Sequence, residues 1–329
     1  PLIDYWNYSD KKKYKVISKL KDKGFSIAGL PGVFDWSRHY PYYDYAARNM
    51  IYMAQDGLKR GLIGHITTKW GDFFNENFRE NIYFGLAIEA QASWSAYQSE
   101  LPIIRRSFER IFFGTNDSGI MDVIDTLNKQ NDELPTYPNG MFNRYWMDPY
   151  CREIDSNEYD YANRIINEAI SILKKLKNLE EKQLIRRNPD NLDYLRFAAR
   201  MALHYGIKIL GSDAAYHEDF SLVKGMSGVM NELGDIGGIT VEEVKETIQD
   251  FEDLTGIFSW LSADIQAQKS SYERLWLQIA KREGLEYPQR RFEVLNWHYE
   301  QSISALSNNR RPRAHQLKSE WIWRSGRRF

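Results

Sequence analysis

The sequence predicts an α/β fold that gives way to an all-α part, and three observations predict it. Up to about residue 97, short apolar runs alternate with amphipathic stretches, strand then helix, three times over. Beyond that point the strand signal disappears and helical periodicity remains. Aromatic and acidic residues crowd the ends of the apolar runs, where a β/α fold opens its functional face. The domains expected are residues 1–97 and 98–329, in keeping with a length of 329 residues.

Leu2 to Trp6 reads as a first strand. Ser9 and Asp10 can cap a helix over 11–23, with Tyr14, Ile17 and Leu20 on its apolar side and Gly24 as its stop. A second strand covers 25–30 and breaks at Pro31-Gly32, before an aromatic loop with Asp35, Trp36, Arg38 and His39. The spacing of Ala46, Ala47, Met50, Ile51 and Ala54 predicts a helix over 42–59. Gly61 opens the third strand, whose end turns abruptly polar and aromatic at Thr67, Thr68, Trp70 and Asp72. A third helix is expected over 77–96, with Ile82, Leu86, Ala90 and Trp94 in register.

Strand–helix repetition of this kind makes a parallel sheet. Three units are too few to close an eight-stranded barrel, and a partial TIM (β/α) barrel would leave an unpaired edge and a bare apolar face. The expectation is that upstream residues or a partner chain complete the sheet. Residues 101–113 and 119–130 read as short helices and 134–151 as a loop. Helices follow over 159–177 and 192–210, and 212–238 is glycine-rich and irregular. Thr240-Val241-Glu242-Glu243 is a capping box for a helical stretch to Arg282, with a break at Gly256 and an end marked by Gly284 and Pro288. A last helix, 292–306, leads into a basic tail.

The bulk numbers exclude some functions. A net charge of −1 argues against a general polyanion or acidic-lipid binder, so neither nucleic acid nor membrane is expected as a partner. The single cysteine, Cys151, rules out an internal disulfide and a cysteine-based zinc site, and it suits a reducing, cytoplasmic location. The tail from Arg310 holds seven Arg or Lys residues with Trp321 and Trp323; in so neutral a chain its tryptophans are expected to dock on the protein. His65 reads as a hydrogen-bonded core residue, His204 and His217 as structural, and Lys11-Lys12-Lys13 as a solvated face.

The aromatic total of 10 Trp, 21 Tyr and 16 Phe matters less than its clustering before residue 50, as in Asp4-Tyr5-Trp6-Asn7-Tyr8. Trp70 and Asp72, two apart in extended chain, point the same way. An apolar plate beside an acceptor suits a sugar ring, which stacks its C–H face and donates its hydroxyls. The same two residues also fit a core tryptophan and a helix-capping aspartate. His39, beside Asp35 and Arg38, is either a pocket residue or structural.

Over residues 1–96 the three strand ends resemble the last three β/α units of glycoside hydrolase family 20, the β-N-acetylhexosaminidases. Tyr5-Trp6 matches the aromatic pair ending that family's sixth strand, and Trp70-Gly71-Asp72 its eighth-strand Trp-x-Glu or Trp-x-Asp. In the seventh-strand loop, Val33-Phe34-Asp35 keeps the aspartate but has Val33 where the family has the tyrosine that grips the acetamido group. The helical remainder is similar in kind to the carboxyl-terminal helical domain of one bacterial branch.

The resemblance implies a retaining exo-glycosidase acting on a terminal N-acetylhexosamine of an oligosaccharide or glycoconjugate. The substrate's own acetamide oxygen attacks the anomeric carbon, with no metal or organic cofactor. Trp6, Tyr5, Asp35, His39, Trp70 and Asp72 are then the expected substrate-binding residues. The catalytic Asp-Glu pair and the sugar-binding arginine belong to earlier strands, so no catalytic residue is expected here, and the upstream half of the barrel is the implied partner. The alternative is a non-catalytic carbohydrate-binding or interaction protein that retains part of the barrel.

Overall fold

A computed structural model describes residues 1–36, 38–70, 77–131, 145–150, 154–217, 254–280, 282 and 284–312. The chain's contacts separate it into two compact units: Pro1–Asp132 with Leu179–Leu192, and Glu133–Asn178 with Asp193–Phe329. The unit that holds the sheet therefore runs past residue 97 and takes in two more helices.

In the first unit the order is β1 (Leu2–Trp6), α1 (Lys15–Lys21), β2 (Ser26–Leu30), α2 (Tyr43–Arg60), β3 (Gly64–His65), a 3₁₀ turn at Arg79–Ile82, and α3 (Tyr83–Trp94). The strands form one parallel sheet in sequential order, β1-β2-β3. Leu2 pairs with Ser26 and Trp6 with Leu30; Ala28 pairs with Gly64. The third strand is far shorter than its apolar run suggests. Gly61 does not open it but caps α2 in the left-handed conformation, φ +76°. Pro31, lacking an amide hydrogen, interrupts the ladder, which resumes in the same register at the bridge Gly32↔Thr68.

The first helix starts at Lys15, not at 11, because tertiary bonds draw its expected caps away. Asp10 pairs with Arg48 at 3.0 Å, and the Tyr14 amide donates to Asp56 Oδ2 at 2.6 Å. Tyr14 itself is buried with Ile17, Ile27 and Met53.

The two crossover helices, α1 and α2, and the helix that follows β3 lie on one face of the sheet. Ile27 packs under α1 and α2, and His65, two residues past Ile63 on β3, pairs with Glu89 of α3 at 2.7 Å. His65 is thus a hydrogen-bonded core residue. The opposite face carries Leu2 and Trp6, 60 % and 57 % exposed, and Ile66, which alternates with His65, is exposed too. The third helix is apolar on both sides. Phe84, Ile88 and Ala92 form its buried face, whereas Leu86, Ala90 and Trp94, expected inside, point outward, with Trp94 91 % exposed.

Helices α4 (Leu101–Phe108), which runs on into a π turn at Glu109–Phe113, and α5 (Ile120–Lys129) complete the first unit. Arg105 joins them through Asp122 and Asp125, both at 2.9 Å.

Regular structure described in the second unit is helical: α6 (Ser156–Glu181), α7 (Asn191–His217), α8 (Leu254–Ile279) and α9 (Glu286–Ser307). The seventh helix continues through the start of the glycine-rich stretch, and α8 runs through Gly256 without a break. Pro288 does not end a helix but sits in the first turn of α9, where a missing amide hydrogen costs little. The loop expected over 134–151 is described only at 145–150; the capping box at 240–243 and the tail beyond 312 lie outside the described residues.

A buried polar junction ties this unit together. Asp264 of α8 accepts from Arg200 (2.7 Å) and His204 Nδ1 (2.7 Å) of α7 and from Gln268 (2.6 Å), while His204 Nε2 meets Tyr299 of α9 at 2.7 Å. Burial works against the Asp264 charge, but Arg200 and His204 together outweigh it and hold the carboxyl at about 2. Burial pushes His204 below its ordinary value, so the ring is neutral. No described helix is long and apolar enough to cross a membrane.

Candidate functional site: an aromatic mouth at the strand ends

The carboxyl ends of the three strands converge. The first delivers Trp6 and Tyr8, the second Phe34, Asp35 and Trp36, and the third Thr68, Lys69 and Trp70. A buried asparagine on α2 clamps two of these loops together. Asn49 Nδ2 donates to the carbonyls of Asn7 (2.9 Å) and Ser9 (2.8 Å), and its Oδ1 accepts from Gly32 N at 3.1 Å. A Cβ at Gly32 would lie 3.0 Å from the Trp36 ring and 3.1 Å from Tyr8, so both rings would have to give by a few tenths of an ångström to admit a larger residue.

The rings make a continuous cluster. Trp6 meets Trp70 edge to face at 5.5 Å, and Tyr8 lies 5.0 Å from Trp36 and 6.0 Å from Phe34. Phe34 adopts φ +58°, a left-handed conformation that costs a non-glycine residue about 1–2 kcal/mol. Packing against Trp36 at 4.6 Å and Tyr45 at 4.5 Å holds it there.

Asp35 lies beneath the mouth, only 2 % exposed. Its Oδ2 is 3.2 Å from Lys69 Nζ, and Oδ1 faces the Trp70 amide at 3.4 Å. Burial raises its pKa above the ordinary value, and the Lys69 ammonium opposes that rise.

The structure brings Trp6, Trp70 and Asp35 together, as the sequence suggests, and separates the other candidates from them. Tyr5 alternates with Trp6 and so points to the helix-covered face. There its ring packs against Tyr14 at 6.5 Å, and its hydroxyl accepts from Asn7. It belongs to the core, which corrects its expected place at the mouth. His39 is buried and pinned to Gln130 Oε1 at 2.9 Å; with its pKa pushed down to about 4 by burial, it is a neutral anchor for the loop rather than a pocket group. Arg38 adds a second anchor, to Asn131 at 2.9 Å. Asp72 lies outside the described residues.

Reading the sequence for sites missed Tyr8, Phe34, Trp36, Lys69 and Asn49. Tyr8 and Trp36 had a signal, their place in aromatic loops; an asparagine within a helix has none.

Chemically, the mouth offers aromatic faces and edges above a buried ion pair. Among the described residues, no group of three His, Cys, Asp or Glu side chains is placed to hold a metal ion. A surface groove of about 630 Å³ lies at the far end of the sheet, where α1 and α2 terminate. It is lined by Lys21, Asp22, Lys59 and the Asp56–Arg60 pair, and has no aromatic face. The aromatic mouth is therefore the stronger candidate on chemistry.

The chain matches no protein-family model, and no curated protein matches it.

Proposed function

We propose that this chain forms the carboxyl-terminal part of a retaining exo-β-N-acetylhexosaminidase of glycoside hydrolase family 20. In this reading residues 1–97 are the last three units of a partial TIM barrel, and they supply one wall of the pocket for a terminal N-acetylhexosamine. The observation that carries the reading is the convergence of Trp6, Trp70 and Asp35 at the carboxyl ends of sequential parallel strands. The placement of α1, α2 and α3 on one face accords with it, since a barrel sector has that arrangement, as does one half of a doubly wound sheet. The bare face and the outward apolar stripe of α3 are where the remaining strands and helices would pack.

The mouth stacks and orients the sugar, and the acid–base and acetamide-orienting carboxylates come from the upstream half. The test compares the 329-residue chain with the same chain joined to its upstream reading frame, on a chromogenic N-acetyl-β-glucosaminide. Only the joined protein should turn over, and Trp70→Ala should cost it about 1–3 kcal/mol in kcat/KM, the worth of a stacked aromatic contact. Turnover by the short chain, free of contaminating enzyme, would show the catalytic division to be wrong. Binding without hydrolysis by the joined protein would favour a carbohydrate-binding module.

A further inference from the structure

Tyr8 touches the ends of all three strands. It follows β1, its ring packs on Phe34 and Trp36 after β2, and its hydroxyl meets two groups after β3. Trp70 Nε1 donates to Tyr8 Oη at 2.5 Å, and Tyr8 Oη lies 3.2 Å from Thr68 Oγ1.

The direction of this chain follows from counting protons. Indole N–H can only donate, so the tyrosine oxygen accepts from Trp70. Thr68 Oγ1 lies 2.9 Å from the carbonyl of Pro31, which can only accept, so the threonine's single hydroxyl proton is spent there. The Tyr8 proton is left to bridge to Thr68. Every link has one donor and one acceptor, and the sequence of bonds runs one way: Trp70, Tyr8, Thr68, Pro31. Reversing the Tyr8–Thr68 link would take the threonine proton from the Pro31 carbonyl and leave the Tyr8 proton without an acceptor in the chain of bonds, which is unfavourable in a half-buried site.

We propose that Tyr8 is the positioning residue of the mouth, setting the plane of Trp70 through this directed chain so that the indole face meets the sugar ring. The sugar part of the inference rests on the function proposed above; the hold on Trp70 does not. Among the described residues the indole ring of Trp70 has one other ring contact, edge to face with Trp6 at 5.5 Å, and Trp6 is itself more than half exposed. A stacking plate gains affinity only if its orientation is set before the ligand arrives.

The test uses Tyr8→Phe, which keeps the ring contacts with Phe34 and Trp36 and removes only the hydroxyl. Thr68→Val, the second variant, removes the acceptor for the Tyr8 proton while leaving the Tyr8 oxygen to accept from Trp70. The readout is solvent exchange of the Trp70 indole N–H by ¹⁵N NMR, its signal assigned with Trp70→Phe. N-acetylglucosamine is titrated in parallel, by tryptophan fluorescence, into the protein joined to its upstream reading frame. Tyr8→Phe should speed indole exchange at least about tenfold and weaken sugar binding about three- to tenfold, and Thr68→Val should do less of both. An indole signal that exchanges as slowly in Tyr8→Phe as in the native chain overturns the proposal. So does faster exchange with unchanged sugar affinity. Absence of N-acetylglucosamine binding by the native protein joined to its upstream reading frame, where the proposed pocket is whole, sinks the sugar reading alone, and Tyr8's hold on Trp70 still stands or falls by the indole signal.

Discussion

Burial and Lys69 pull the Asp35 carboxyl in opposite directions, and burial prevails. A carboxylate this deeply buried prefers its proton, and the ammonium at 3.2 Å works in the opposite direction. Because Asp35 titrates above the ordinary aspartate value of 3.8, the folded chain binds this proton more tightly than the unfolded chain. Its contribution to stability therefore falls as pH rises from 3.8 through the elevated folded value. Lys69→Met should extend that falling window upward. At neutral pH it should cost about 1–3 kcal/mol, less than a fully buried pair because the lysine side chain is 26 % exposed. Melting temperatures taken between about pH 4 and about pH 7 should diverge, with Lys69→Met losing more as pH rises. Parallel curves would mean that Lys69 does not govern the Asp35 charge.

At the scale of elements, the second unit depends on a junction that crosses three helices. Asp264→Asn leaves Arg200 buried without its counter-charge, and breaking a buried pair in this way costs about 3–5 kcal/mol. Replacing both, as Arg200→Met with Asp264→Leu, should recover much of that loss, because no charge then stays buried alone. A denaturant double-mutant cycle measures the difference; if the double variant is as unstable as the two single losses added, the account fails. The junction also makes the unit acid-sensitive. His204, held neutral by burial, refuses a proton that the unfolded chain accepts below 6.5, so stability falls as pH drops through that value. Asp264, at about 2 when folded and 3.8 otherwise, adds a second loss below 3.8. His204→Gln should abolish the first step and keep the second.

At the scale of the whole molecule, the three-stranded sheet leaves large apolar side chains exposed. Its bare face, its edges and the outer stripe of α3 carry large apolar side chains of the kind that proteins cover. Trp94→Asp tests whether the stripe is covered by upstream strand–helix units. In the 329-residue chain it should shift stability by less than about 0.5 kcal/mol, as exposed substitutions do. If upstream strand–helix units complete the barrel proposed above, the same change in the completed protein would bury a charge and should lower the melting temperature and the proposed hydrolysis rate together. An unchanged melting temperature in both would remove α3 from any interface.

The sequence by itself determined the alternation of strands and helices in residues 1–97, the helical character of the rest, and the aromatic strand ends. These are local properties, written in side-chain periodicity and in glycine and proline punctuation. Tertiary structure decided what periodicity does not encode. A helix apolar all round, such as α3, does not say which face meets the sheet; contact with His65 and the core chose Phe84, Ile88 and Ala92. Adjacent aromatics such as Tyr5 and Trp6 cannot both serve one face, because strand side chains alternate, and register sent Tyr5 to the core. The cap of α1 was lost to Arg48 and Asp56, partners more than thirty residues away, whose bonds outweigh a local capping preference. The mouth's polar frame, Asn49 to two loops and Trp70 through Tyr8 to Thr68, likewise joins residues far apart in the chain. Each bond needs both partners placed within about 3 Å, and only the folded backbone supplies that distance.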